Sequence, residues 1–171
     1  MPSARVTRRQ GPLTALEGEE SALAIGDVAA RHVRLTPEGL TAFLADSSAA
    51  YVPWAQVRAL VVEPPTTWWP YPALGDSIAP LLEGLLGGGA SFAEPTETPT
   101  FPVRITTDSG DIEWGVTPHH LSGYRRADAR ATTRLAEYLV DRPEARVLLS
   151  RPAELLDRIS ALVRVRPPIA E

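Results

Sequence analysis

The stretch from Tyr51 to Glu63 constrains the fold of this chain more than any other. It joins a turn centred on Pro53-Trp54 directly to the apolar run Val57–Val62. The run is apolar on both faces except at Arg58, as expected for a strand that other elements cover on each side. The run contains no nucleophile and no metal ligand. The stretch therefore predicts an element of a β-structure and indicates no reaction.

Further strands are predicted from apolar runs and from alternation at period two. An apolar run from Ser21 to Gly26 predicts a strand. The segment from His32 to Leu44 predicts a hairpin around the turn residues Thr36-Pro37-Glu38-Gly39. A second hairpin is predicted from Phe101 to Val116, because Asp108-Ser109-Gly110 separates two alternating runs.

The period changes from two to helical after Arg125. Apolar residues then fall on one face of a helix predicted over residues 126–140. A short helix is predicted to follow from Asp141 through Leu149. Another begins at Ser150 or Pro152, and its apolar stripe comprises Leu155, Leu156, Ile159, Leu162 and Val163.

Composition limits the classes of function. The length of 171 residues fits one domain, and the absence of cysteine excludes disulfides and thiol chemistry and suits a reducing cytoplasm. The net charge of −4 argues against a nucleic-acid-binding surface. No apolar run is long enough to cross a membrane, and no apolar region follows Arg8-Arg9 as an export signal would require. We expect a soluble, cytoplasmic protein with no cofactor and no metal, whose residues 1–20 are a flexible tail.

A long insertion, residues 64–100, lies between the two groups of predicted strands. It opens with Trp68, Trp69 and Tyr71 close together, and an apolar helix is predicted from Ile78 to Leu86. Either the three aromatic side chains fold back over their own domain, or they bind a partner protein or a second copy of the chain. A contact with a membrane surface is disfavoured, because no basic residue lies between Trp68 and Leu86.

Two motifs suggest enzyme chemistry and are better explained structurally. Gly75-Asp76-Ser77-Ile78 resembles the nucleophile block of the SGNH hydrolases, but that family also needs an asparagine and a late Asp-x-x-His pair, which this chain lacks. We therefore interpret Asp76 and Ser77 as helix caps. His119-His120 is interpreted as a pair of solvent-exposed loop histidines, since adjacent residues of an extended chain point in opposite directions and do not share a metal.

Three arginines recur at four-residue spacing on the helix that follows Arg125. Arg126, Arg130 and Arg134 therefore lie along one side of that helix. Such a stripe is suited to binding phosphate, a lipid headgroup or an acidic partner. The alternative is a solvated face whose charge is neutralised by Glu137 and other carboxylates.

The segment Val52-Pro53-Trp54-Ala55-Gln56-Val57 and the order of elements over residues 20–141 resemble the bacterial pleckstrin-homology-like (PH-like) domains. The resemblance implies an α+β fold, mainly β: a partly open barrel of two packed antiparallel sheets, closed by the amphipathic helix. We expect the barrel over residues 21–141, a helical extension over 142–166 and a tail over 167–171; the insertion at 64–100 and the added helices depart from the family pattern. We expect a non-catalytic binding or scaffolding domain, with anion binding at the arginine stripe as the alternative and hydrolysis by Ser77 as a weaker one.

Overall fold

A six-stranded antiparallel meander forms the first part of the described chain. The structure is a computed structural model, and it describes residues 5–44, 49–67 and 99–164. The strands are β1 (Arg5–Gln10), β2 (Leu13–Glu17), β3 (Ala22–Gly26), β4 (His32–Leu35), β5 (Gly39–Phe43) and β6 (Ala50–Pro53). Each strand pairs with the next along the chain, so the register is set by short turns.

A second antiparallel sheet has three strands in the order β10-β9-β7. The remaining strands are β7 (Val57–Val62), β8 (Thr66–Thr67), β9 (Phe101–Thr107), β10 (Gly110–Val116) and β11 (Tyr124–Arg125). The predicted hairpin over residues 101–116 is confirmed, with Ile112 opposite Ile105 and Gly110 opposite Thr107. β8 and β11 form a short parallel pair.

The Pro53-Trp54 turn carries the chain from the first sheet to the second. Trp54 begins a single 3-10 turn, Trp54–Gln56, which leads directly into β7. Its indole is 3% exposed, and Nε1 donates a hydrogen bond of 2.8 Å to the carbonyl of Thr36. The Arg146 guanidinium lies 4.8 Å from the centroid of the same ring. The turn is therefore held from both the meander and the C-terminal helices.

Two α-helices and a 3-10 segment follow the sheets. They are α1 (Arg126–Asp141), the 3-10 helix Pro143–Ser150 and α2 (Pro152–Arg164). α1 packs against β7 at the edge of the second sheet, and α2 packs against β1 and β2 of the first. The helices predicted after Arg125 are confirmed, whereas the helix predicted from Ile78 to Leu86 lies outside the described residues. Among the described residues, no helix is long and apolar enough to cross a membrane.

Both sheets contribute to one hydrophobic core, which the helices close. Its fully buried members include Leu40 from the meander, Ile105 from the second sheet, Leu139 from α1 and Leu156 from α2. Alternate residues of β9 are buried, as the period-two pattern predicts. The mixed α+β, mainly antiparallel character of the fold is thus established.

Two expectations from the sequence are corrected by the structure. Residues 5–17 do not belong to a flexible tail, because they form β1 and β2, and Leu13 and Leu16 are fully buried. The sheets do not close into a barrel either: in the described part of the chain, no strand of the meander pairs with a strand of the second sheet.

Candidate functional site

The three arginines of the predicted stripe lie exposed on α1. Arg126, Arg130 and Arg134 all line one groove of about 630 Å³ between α1 and β7. We call it the strand–helix groove. Thr133 Oγ1 donates a 2.9 Å hydrogen bond to the carbonyl of Val62, which holds this side of α1 against the edge of the second sheet. The structure therefore brings the predicted anion-binding residues together on one surface.

One of the two carboxylates that line the groove is engaged elsewhere. Glu63 accepts a 2.5 Å hydrogen bond from Arg104, whose Nε donates to Glu113 at 2.8 Å. Glu137 also lines the groove. None of the ion pairs among the described residues involves the stripe, so the predicted neutralisation by Glu137 is not present there as an ion pair.

A second groove, of about 670 Å³, runs between α1 and α2. We call it the helix–helix groove. Arg130 and Arg134 reach it from α1 and Arg158 from α2, while its apolar lining includes Tyr138 and Leu162. None of the described residues that line it carries a carboxylate.

The sequence analysis missed this second groove and Arg158. It placed Leu162 on the packed face of α2, yet Leu162 is 75% exposed, and Tyr138 on α1 is 49% exposed. The signal that could have revealed the groove is the width of the apolar stripes on α1 and α2, because these stripes are wider than one helix–helix contact covers.

His119 is not the solvent-exposed loop residue predicted from the sequence. It is partly buried, its Nε2 lies 3.1 Å from Thr14 Oγ1, and its Nδ1 lies 3.1 Å from the Tyr124 hydroxyl. The backbone N–H of His119 donates to the same hydroxyl at 2.7 Å. His120 is partly buried as well. His119 thus ties the segment before β11 to β2.

Burial sets the protonation of this cluster. It lowers the pKa of His119 to about 4, with a further contribution from the positive charge of Arg9. Burial also raises the pKa of Tyr124 to about 12. Both side chains are therefore neutral at pH 7. Within the described ranges, no three histidine, aspartate or glutamate side chains are grouped so that they would hold a metal ion.

A buried polar cluster joins three elements that are far apart in sequence. Gln10 Nε2 on β1 donates to Asp128 Oδ1 on α1 at 2.5 Å, and Ser160 Oγ on α2 donates to Gln10 Oε1 at 2.7 Å. Asp128 and Ser160 are at most 9% exposed. Local patterns held no signal for this cluster, because its members are brought together only by the tertiary fold.

The predicted partner-binding residues Trp68, Trp69 and Tyr71 lie outside the described residues, and so does Ser77. Their assignment stays a prediction. Comparison with protein-family models, with curated proteins and with solved structures finds no match to this chain. The function is therefore inferred from the geometry of the described residues.

Proposed function

We propose that this chain is a non-catalytic binding domain that docks an acidic protein segment on the arginine stripe of α1. The observation that carries the proposal is the placement of Arg126, Arg130 and Arg134 on one groove, where none of the described ion pairs engages them. Like charges four residues apart on a helix destabilise it by about 0.2 to 0.5 kcal/mol per pair. A bound row of carboxylates removes that repulsion.

Arginine suits this role because its planar guanidinium donates two parallel hydrogen bonds to one carboxylate. The stripe spans eight residue steps, or about 12 Å at the helical rise of about 1.5 Å per residue. That length exceeds a single phosphate and matches several successive acidic side chains. The stripe therefore favours a protein segment over a small inorganic anion.

The chemistry of the groove supports binding over catalysis. Among its described lining residues are arginines, threonines and glutamates, but no histidine, cysteine or serine. Nucleophilic catalysis needs an activated nucleophile beside a base, whereas the Thr133 hydroxyl donates to the backbone carbonyls of Val62 and Ala129. A domain of PH-like architecture remains part of the proposal: the two antiparallel sheets and the helix against the second sheet support it, and the six-stranded meander departs from it.

Binding of poly-L-glutamate, measured by fluorescence anisotropy at several salt concentrations, tests the proposal. The triple variant Arg126→Gln/Arg130→Gln/Arg134→Gln should weaken binding by about tenfold or more, because three charge-assisted contacts are removed. The wild-type affinity should fall as salt rises, since exposed charges are screened.

A matched control is the triple variant Arg5→Gln/Arg142→Gln/Arg164→Gln. It changes the net charge equally at exposed positions outside the groove. Its affinity should stay within about twofold of wild type if local contacts dominate over net charge. Equal losses in both triple variants would reduce the effect to non-specific attraction and refute the proposal.

A further inference from the structure

We propose that the helix–helix groove binds a partner helix whose apolar stripe is flanked on both sides by acidic residues. The inference rests on the proposed function, because Arg130 and Arg134 line both grooves. It adds a second wall, formed by α2, and a defined shape for the partner. Two features of the groove carry it: an uncovered apolar lining and a basic rim on each side.

The apolar lining is larger than the contact between α1 and α2 uses. Leu135, Leu155 and Ile159 are 7 to 9% exposed and form the closed floor. Above them, Tyr138 is 49% exposed and Leu162 is 75% exposed. Both belong to the apolar faces of amphipathic helices, so they are exposed where the helical pattern predicts packing.

The charges of the rim select the partner. Arg130 and Arg134 stand on α1 and Arg158 stands on α2, so both walls are basic. With no carboxylate among the described lining residues, the rim is complementary to an acidic ligand. A partner helix with glutamates on both sides of its apolar stripe pairs with both walls at once.

The dimensions favour a helix. The α1 wall extends from Ala127 to Tyr138, which is about 16 Å at the helical rise of about 1.5 Å per residue. Three turns of a partner helix fit this length, with apolar anchors at i, i+3, i+4 and i+7. The floor of Leu135, Leu155 and Ile159 is buried between two helices, where a flat bilayer surface does not reach it. The shape therefore favours a protein helix over a membrane.

The probe for this site is an 18-residue synthetic helical peptide with leucines at the anchor positions and glutamates on both flanks. A second peptide carries glutamines in place of the glutamates. Binding to the full chain is followed by fluorescence anisotropy. The glutamate peptide should bind about tenfold more tightly than the glutamine peptide, because only the former pairs with the arginine rim.

Variants at the groove separate this inference from the proposed function. Arg158→Gln and Leu162→Gln should each weaken peptide binding by about fivefold or more, since each removes a group that lines this groove and not the strand–helix groove. Both side chains are exposed, so folding is preserved. Arg126→Gln, which lines only the strand–helix groove, and the exposed Val147→Gln should leave peptide binding within about twofold.

Each outcome bears on one claim. Loss of peptide affinity in Arg158→Gln and Leu162→Gln, but not in Arg126→Gln, supports the helix–helix groove. Equal peptide binding by all variants, or no binding by wild type, overturns it, while poly-L-glutamate binding to Arg126→Gln judges the strand–helix groove separately, because Arg126 lines only that groove. A dimer in solution that Leu162→Gln converts to a monomer would identify a second copy as the occupant and also overturn the partner helix.

Discussion

Trp54 shows how one residue links sequence, packing and topology. Its side chain is buried at the step between the two sheets, and its single polar atom is satisfied by the carbonyl of Thr36. Arg146 covers one side of the ring and also donates to the carbonyls of Leu139 and Val140 near the end of α1. The indole thus connects the meander to the helices through one residue.

Replacing Trp54 by phenylalanine isolates the polar part of this role. Trp54→Phe should lower the free energy of unfolding by about 2 to 3 kcal/mol, because the carbonyl of Thr36 loses its donor and the ring shrinks. Urea unfolding measures the change. Trp114→Phe is the matched control, since Trp114 is 5% exposed and its indole makes no hydrogen bond within the described residues. A loss at Trp54 no larger than that at Trp114 would contradict a stabilising role for the hydrogen bond.

At the scale of elements, the parallel pair of β8 and β11 positions the start of α1. Tyr124 lies opposite Thr66, and the Tyr124 N–H donates to the carbonyl of Pro65 at 2.8 Å. Gly123 precedes this pair with a φ of 85°, in the region that favours glycine. A Cβ at Gly123 would lie 2.8 Å from the Pro65 carbonyl oxygen. The entry to α1 therefore requires glycine for both conformation and space.

Gly123→Ala should destabilise the domain by roughly 2 kcal/mol or more, through backbone strain and the clash with Pro65. It should also reduce amide protection in the first turn of α1, which hydrogen exchange detects. Gly115→Ala is the control, because Gly115 does not have positive φ and its nearest neighbour atom is the Thr100 hydroxyl at 3.2 Å. Similar stability losses for the two variants would argue against this account.

At the scale of the whole molecule, local patterns predicted elements better than their arrangement. The hairpin from Phe101 and the helix from Arg126 follow from alternation and from the change to a helical period. β1 escaped prediction because its burial pattern is mostly exposed and its partners are β2 and α2. Likewise the spacing of the arginines on α1 can be predicted from the sequence. The two grooves also need side chains from β7 and α2, and a local sequence pattern does not show that these elements lie beside α1.

Two histidines, the buried His32 and the partly buried His119, make the stability of the whole domain depend on pH. Burial, with the charge of Arg34, lowers the pKa of His32 to about 4, and His119 has the same value. These values lie below the unfolded value of about 6.5, so the unfolded chain takes up protons first as the pH falls. The contribution of the two neutral histidines to the free energy of unfolding is fully present above about pH 6.5 and is lost as the pH falls toward 4.

The expected loss between pH 7 and pH 5 is on the order of 2 kcal/mol for each histidine. Urea unfolding at both pH values measures it. Glutamine does not titrate, so the free energy of unfolding of His119→Gln should change less between pH 7 and pH 5 than that of wild type. This expectation holds whatever the stability of the variant at pH 7. An equal change in both proteins would show that His119 does not contribute to the pH dependence.

The hydrogen bonds from Ser160 to Gln10 and from Gln10 to Asp128 join residues that are translated far apart in time, so this cluster forms late in the synthesis of the chain. As a ribosome releases the chain from its N-terminus, the six strands of the meander pair with their neighbours as they emerge. The surface of β1 and β2 that α2 covers stays uncovered until α2 has been translated, and Ser160 of α2 follows Gln10 of β1 by 150 residues. β1 and β2 are thus made long before the helix that covers them, so a nascent chain stalled before α2 exposes this side of its sheet to chaperones.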